Sequence, residues 1–193
     1  MNKRRWLGVA ILGIVLLSIG GYWILQGNKE PKFIDFHDQK TSLNFKYSEK
    51  LQTVQLKKEE KKDKFIVRLQ NGSKEKSDLL IRVSYEEGLR TVTTLTKAEL
   101  IPLLLSNAEK SLPQTFPEFQ LETKREIEIA NHESGEMIFT YTGPSKKQVK
   151  RRLLIVDKDG STAIYIAMES ATENYETVNS EYFEPLVQSV MIR

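Results

Sequence analysis

The side chains able to do chemistry are few, and their spacing limits what they could do. Asp35 and His37 stand two apart. On a strand they share a face and could begin a metal site. The simpler reading is an exposed polar face opposite Ile34 and Phe36. His132, Glu133 and Glu136 form a second loose oxygen and nitrogen group, which a turn leading into a solvated strand edge also explains. A metal site on Asp35, His37, His132 and Glu136 would need further ligands and supporting outer partners. Asp157-Lys158-Asp159-Gly160 opens like a calcium loop, but position 12 falls on Met168, where an EF-hand needs a bidentate Glu. Asp-Gly supplies a hairpin turn directly.

Nucleophilic chemistry has little support. The chain has no Cys, which excludes Cys-His catalysis, disulfides, thiolate metal sites and a lipid-modified cysteine. No Gly-x-Ser-x-Gly elbow is present. No set of acid, base and nucleophile emerges, so the sequence predicts a non-enzyme that needs no cofactor. The densest charge is Lys146, Lys147, Lys150, Arg151 and Arg152. On a hairpin strand, Lys150 and Arg152 share a face and the lysine pair caps the turn. Such a patch could meet an anionic headgroup, a teichoic-type polymer or an acidic protein. Alternatively, Glu122, Glu126 and Glu128 on a neighbouring strand neutralise it through cross-strand pairs. Exposed pairs of that kind contribute only ~0–1 kcal/mol each.

The N-terminus carries the plainest physical message. A basic stub, residues 1–5, precedes an uncharged run from Trp6 to Leu25. A helix of that length rises roughly 30 Å, the hydrocarbon thickness of a bilayer. Basic residues before it keep the N-terminus cytoplasmic, and Trp6, Tyr22 and Trp23 suit the two interfaces. A cleaved signal ending near Ser18-Ile19-Gly20 is the rival, but its apolar core is usually about 7–15 residues. The expectation is an uncleaved signal-anchor over 6–25, a polar linker over 26–32 and an extracytoplasmic domain over 33–193. Residues 1–32 carry a net +4 and residues 33–193 a net −1, so the basic balance belongs to the membrane end. It does not advertise nucleic-acid binding. The expected partners are the membrane, through 6–25, and an envelope or membrane protein.

Period-2 alternation dominates the exported part. Leu43, Phe45 and Tyr47, then Phe65, Val67 and Leu69, then Leu79, Ile81, Val83 and Tyr85 each read as one buried strand face. Lys57 to Lys64 reads as a loop and Asn71-Gly72-Ser73 as a turn. Thr96 and Glu99 make a capping box, with Leu95 and Leu100 as a hydrophobic staple. The helix they open carries Ala98, Ile101, Leu105, Ala108 and Leu112 at helical spacing. Pro102 should disturb its second turn, and Pro113 and Pro117 should end it. Strands follow over 119–130, 136–142, 148–157 and 162–168, joined by short loops that favour an antiparallel meander. A last helical region, about 173–190, should be kinked or split at Pro185. Grouped strands with two helices among them predict α+β, with helices covering a mostly antiparallel sheet.

Phe116-Pro117-Glu118-Phe119, the run from His132 to Gly143 (HESGEMIFTYTG) and Glu184-Pro185-Leu186-Val187-Gln188-Ser189-Val190 resemble the PsbP-like superfamily. That superfamily includes photosystem II PsbP, DcrB-type bacterial envelope proteins and a Ran-binding nuclear-transport factor. The resemblance covers about the last two-fifths of the chain. It implies an α-β-α sandwich around an antiparallel sheet and a non-catalytic docking role, often at a membrane surface. Fold does not fix function, so photosynthesis is not implied.

Overall fold

The structure is a computed structural model that describes residues 32–56, 64–72, 79–89 and 99–193. The stub, the anchor over 6–25 and the linker up to residue 31 lie outside the described residues, as do Leu95, Thr96 and Ala98. Most of the 57–64 loop and Ser73 do as well. Among the described residues no helix is long and apolar enough to cross a membrane.

From Phe33 to Arg193 the chain forms one unit, built mainly of strands. The strands are β1 (Phe33–Asp38), β2 (Leu43–Ser48), β3 (Leu51–Thr53), β4 (Phe65–Asn71), β5 (Leu79–Glu86), β6 (Gln120–Ile129), β7 (His132–Thr142), β8 (Gln148–Asp157), β9 (Ala163–Ala171) and β10 (Met191–Ile192). Among the described residues the helices are α1 (Leu100–Thr115), α2 (Tyr175–Val178) and α3 (Glu184–Gln188). Seven strands make one sheet in the order β3-β4-β5-β9-β8-β7-β6, and β1-β2-β10 make a smaller one. Every described pairing is antiparallel. Two meanders therefore meet where β9 pairs with β5, and α1 lies on the connection from β5 to the far edge strand β6.

Strand β8 shows why the large sheet is covered on both faces. Leu153-Leu154-Ile155-Val156 is a continuous apolar run, as in a strand buried on two sides. Leu153 and Ile155 enter one core with Met137, Phe139, Tyr141 and the α1 residues Leu100, Ile101, Leu104 and Leu105. Leu154 and Val156 enter the other with Ile81, Ile166 and Met168, the β2 residues Leu43, Phe45 and Tyr47, and Tyr175, Phe183 and Leu186.

The expected α+β sandwich, an antiparallel sheet between helical layers, does not form, and the transmembrane helix expected before it lies outside the described residues. The domain is a mostly antiparallel β structure with about twice as much strand as helix, and its strands form two sheets instead of one. On the second face β2 and short helical turns together do the covering. The reason is local. The region expected as one long helix divides into a 3₁₀ turn over 172–174, α2, a π segment over 179–183 and α3. Pro185 sits in the first turn of α3, where its missing N–H costs least.

The prolines of α1 also act differently from expectation. The helix starts at Leu100, so Pro102 falls among the first-turn residues whose N–H groups have no intrahelical partner. Pro113 lies inside the last turn, and the helix closes at Phe116, whose N–H bonds the Leu112 carbonyl at 2.9 Å. Between β6 and β7, Ala130 and Asn131 both have positive φ, as a two-residue type I′ hairpin requires.

Gly135 sets how closely α1 approaches β7. A Cβ there would lie 2.8 Å from Cγ and Cδ2 of Leu105. We expect Gly135→Ala to destabilise the fold by about 1–3 kcal/mol through overpacking. Adding Leu105→Ala should relieve that strain, so the pair should couple favourably. Urea unfolding of the two single variants and the double variant measures the coupling; strict additivity would show that the contact does not matter.

Candidate functional site

The basic cluster does not form one patch. Alternation along β8 sends Arg151 into the α1 side and Lys150 and Arg152 to the opposite side. Strand β7 lies between β6 and β8, so the acidic strand is not their direct neighbour. Lys150 still reaches Glu122 at 2.7 Å and stands over the Tyr175 ring at 4.6 Å. Lys146 and Lys147 stay exposed at the β7–β8 hairpin, where Lys146 has a positive φ.

Arg152 is the centre of a buried ionic group. Its Nε donates to Glu136 at 2.7 Å, and its Nη1 donates to Glu184 at 2.6 Å and to Asn179 at 3.0 Å. Burial alone would lower its pKa, but the Glu184 bond and the charges of Glu136 and Glu184 outweigh that and raise it. Glu136 is fully buried, and its second oxygen accepts from Nε of Arg125, directly opposite on β6. Its surroundings are therefore not those of a solvated strand edge. Two arginines and two carboxylates tie β6, β7, β8 and α3 together. Tyr175, buried beside them, has its pKa pushed up to about 12, chiefly by burial.

On the α1 side the balance differs. Arg82 on β5 donates to Glu169 on β9 at 3.1 Å, and Arg151 stands 3.5 Å from the same carboxylate. Tyr141 also donates to it at 3.1 Å, and burial with the Glu169 charge raises its pKa. Two guanidinium groups thus share one carboxylate. Burial lowers the Arg151 pKa; Glu169 opposes that effect and Arg82 adds to it. Nε of Arg82 and of Arg151 are buried without a hydrogen-bond partner. Both arginines line a cavity of about 530 Å³ between α1 and the sheet.

The two expected oxygen and nitrogen groups lie on different sheets, β1 in the small one and β7 in the large one. Nδ1 of His37 bonds Oδ1 of Asn44 at 2.6 Å, and Asp35 lies 3.9 Å from Lys46. Nδ1 of His132 bonds the Asp157 carbonyl at 3.0 Å. Among the described residues no three His, Cys, Asp or Glu side chains stand together as a metal-holding set. The Asp157 loop is a hairpin in which Asp157 accepts from the Gly160 N–H and Asp159 from those of Ser161 and Thr162. Sequence reasoning missed Arg82, Glu169 and Tyr141. Nothing in their local sequence sets them apart, and only the β5–β9–β8 pairing gathers the first two with Arg151.

Removing one partner of the buried group should cost more than removing an exposed pair. We expect Glu136→Ala to lower stability by about 3–5 kcal/mol, because Arg152 stays buried with its charge only partly met. Glu136→Leu combined with Arg152→Met should recover most of the loss in chemical denaturation. The tyrosines add a pH dependence. A raised folded pKa means that the stabilising effect is complete below the unfolded value near 10 and is lost as pH climbs toward about 12. Melting temperature should therefore fall over pH 10–12, and Tyr175→Phe should make that fall shallower.

No protein-family model matches the sequence, and no curated protein matches it. Solved structures do match. The solution structure of cyanobacterial PsbP from Synechocystis superposes with a TM-score of 0.58 at 14% identity, covering 86% of this chain and 96% of that one. The Ran-binding protein Mog1p of Saccharomyces cerevisiae superposes at 0.50 with 5% identity, covering 78% and 83% of the two chains. A Pseudomonas aeruginosa protein of unknown function gives 0.45 at 10% identity, with 77% and 89% covered. At these identities the likeness is one of fold, and the chain has the fold of the PsbP-like superfamily.

Proposed function

We propose that this chain is a membrane-tethered, non-catalytic accessory protein of the cell envelope that docks a protein partner through its β7–β8 hairpin. The observation that carries the reading is the division of the basic cluster. Lys150, Arg151 and Arg152 are spent on ion pairs within the fold, whereas Lys146 and Lys147 are exposed at the hairpin and make no ion pair among the described residues. An exposed lysine pair on a hairpin offers long-range attraction to an acidic surface without disturbing the core.

Three further points support it. The uncharged run over 6–25 is long enough to anchor the chain, and a linker over 26–32 would keep the domain close to the bilayer. Tethering raises local concentration, so a modest affinity suffices for a membrane-bound partner. Proteins sharing the fold include one named for binding Ran, so the fold is compatible with a protein-binding role. Arg125, Glu136 and Arg152 of the large sheet act as paired structural charges, an arrangement suited to holding a shape. A small-ligand role has one specific observation behind it, the cavity lined by Arg82 and Arg151.

Cross-linking of the full chain through lysines in intact cells, with mass spectrometry of the membrane fraction, tests the reading. A reproducible partner should be recovered and should fall about tenfold or more with Lys146→Glu plus Lys147→Glu, at an unchanged melting temperature. Recovery of the same partner at the same yield from the double variant would remove the hairpin from the interaction.

A further inference from the structure

The cavity between α1 and the sheet has two guanidinium groups at one end, one carboxylate at the other and an apolar lining between them. Its apolar lining includes Leu103 and Leu104 of α1, Leu153 and Ile155 of β8 and Ala167 of β9. Its volume of about 530 Å³ lies within the usual range for small-molecule sites. Ala167 sits between Arg82 and Leu153 in the cross-strand row and leaves space above the sheet that a larger side chain would fill. Arg82 and Arg151 stand at one end, near the last turns of α1, where Ser111 and Leu112 also line the wall. Glu86 and Leu100 mark the opposite end, and Tyr165 donates to Glu86 at 2.9 Å.

The charge count at the arginine end selects the head group. Arg82 and Arg151 share Glu169, which leaves a net +1 beside the cavity. Arg68, which pairs with Arg82 from β4, does not line the cavity, and Glu86, which does, is held at the far end by Tyr165. A buried guanidinium donor without a partner is costly, and Nε is such a donor in both arginines. A carboxylate matches guanidinium geometry and supplies one negative charge. A phosphate monoester carries nearly two and would overshoot the balance. We propose that this cavity binds a single-chain fatty-acid carboxylate, its head at Arg82 and Arg151 and its tail along Leu103, Leu104, Leu153 and Ala167. This site is separate from the exposed lysine hairpin, so either assignment can fail alone.

Calorimetric titration of the full chain in lipid nanodiscs, with empty nanodiscs subtracted, provides the test. Octanoate is the probe, and acetate, octylammonium and octyl phosphate are the controls. Octanoate should bind one to one, with acetate and octylammonium at least tenfold weaker. Arg151→Met leaves Glu169 with Arg82 and should weaken octanoate about ten- to hundredfold, the range expected for a lost charge-assisted hydrogen bond. Ala167→Phe should block the tail and abolish binding, while the melting temperature reports whether each variant is folded. Equal binding of octanoate and octylammonium would overturn the proposal, as would absence of octanoate binding to the unmodified chain. Octyl phosphate binding as tightly as octanoate would overturn the assignment to a carboxylate.

Discussion

The structure depends on strand β8 being buried on both faces. Each apolar residue from Leu153 to Val156 must find a core, and alternation forces them into two. Helix α1 alone cannot serve both, so β2 and the C-terminal helical turns must close the second face. At roughly 1.5–3 kcal/mol for each fully buried aliphatic side chain, this one strand commits the chain to its layered arrangement. The small sheet is then a consequence: β2 contributes Leu43, Phe45 and Tyr47 to that core and draws β1 and β10 alongside it.

The same alternation separates charges that are adjacent in sequence. Arg151 and Arg152 cannot point the same way, so each enters its own core margin and needs its own partners there. The two solutions differ in kind. Around Arg152 the count closes, with Arg125 and Arg152 facing Glu136 and Glu184. Such a group fixes position more than it adds stability, since buried ion pairs repay their desolvation only with good geometry. Around Arg151 the count stays open, with two guanidinium groups on Glu169. A closed count belongs to structure, whereas an open one beside a cavity has room for an anion.

Periodicity made the strands legible. The alternation over Leu43–Tyr47 and Leu79–Tyr85, and the doubly apolar run in β8, carry their burial in the sequence itself. The words that suggested the PsbP-like superfamily are legible for a related reason. They lie at the end of α1, along β7 and over α3, where the turn, an interior strand and the proline-initiated helix constrain residue type. What escaped is non-local. No spacing rule says that β9 pairs with β5, so nothing in the sequence joins Arg82 to Glu169. Glu136 looked solvated because Glu133 and Glu136 lie close together near the expected strand start. In fact β7 begins at His132, and Glu136 sits within the sheet opposite Arg125 and next to β8. Pro102 looked disruptive only because the helix was expected to start earlier than Leu100.

The hairpin and the cavity are separate surfaces, yet they share a neighbourhood. A second cavity of about 410 Å³ is lined by Gly143 and Pro144 at the root of the hairpin and by Arg82, Tyr141 and Glu169. Tyr141 also stands edge-on to Phe116, whose ring lies 5.2 Å from the Arg151 guanidinium. Arg82 lines both cavities, with Arg151 on one side and Glu169 on the other. A protein docked at Lys146 and Lys147 would stand close to the second cavity, and a carboxylate bound in the first would compete with Glu169 for the same donors. Coupling between partner and ligand would pass through how Arg82 divides its hydrogen bonds, since Arg82 is common to both cavities.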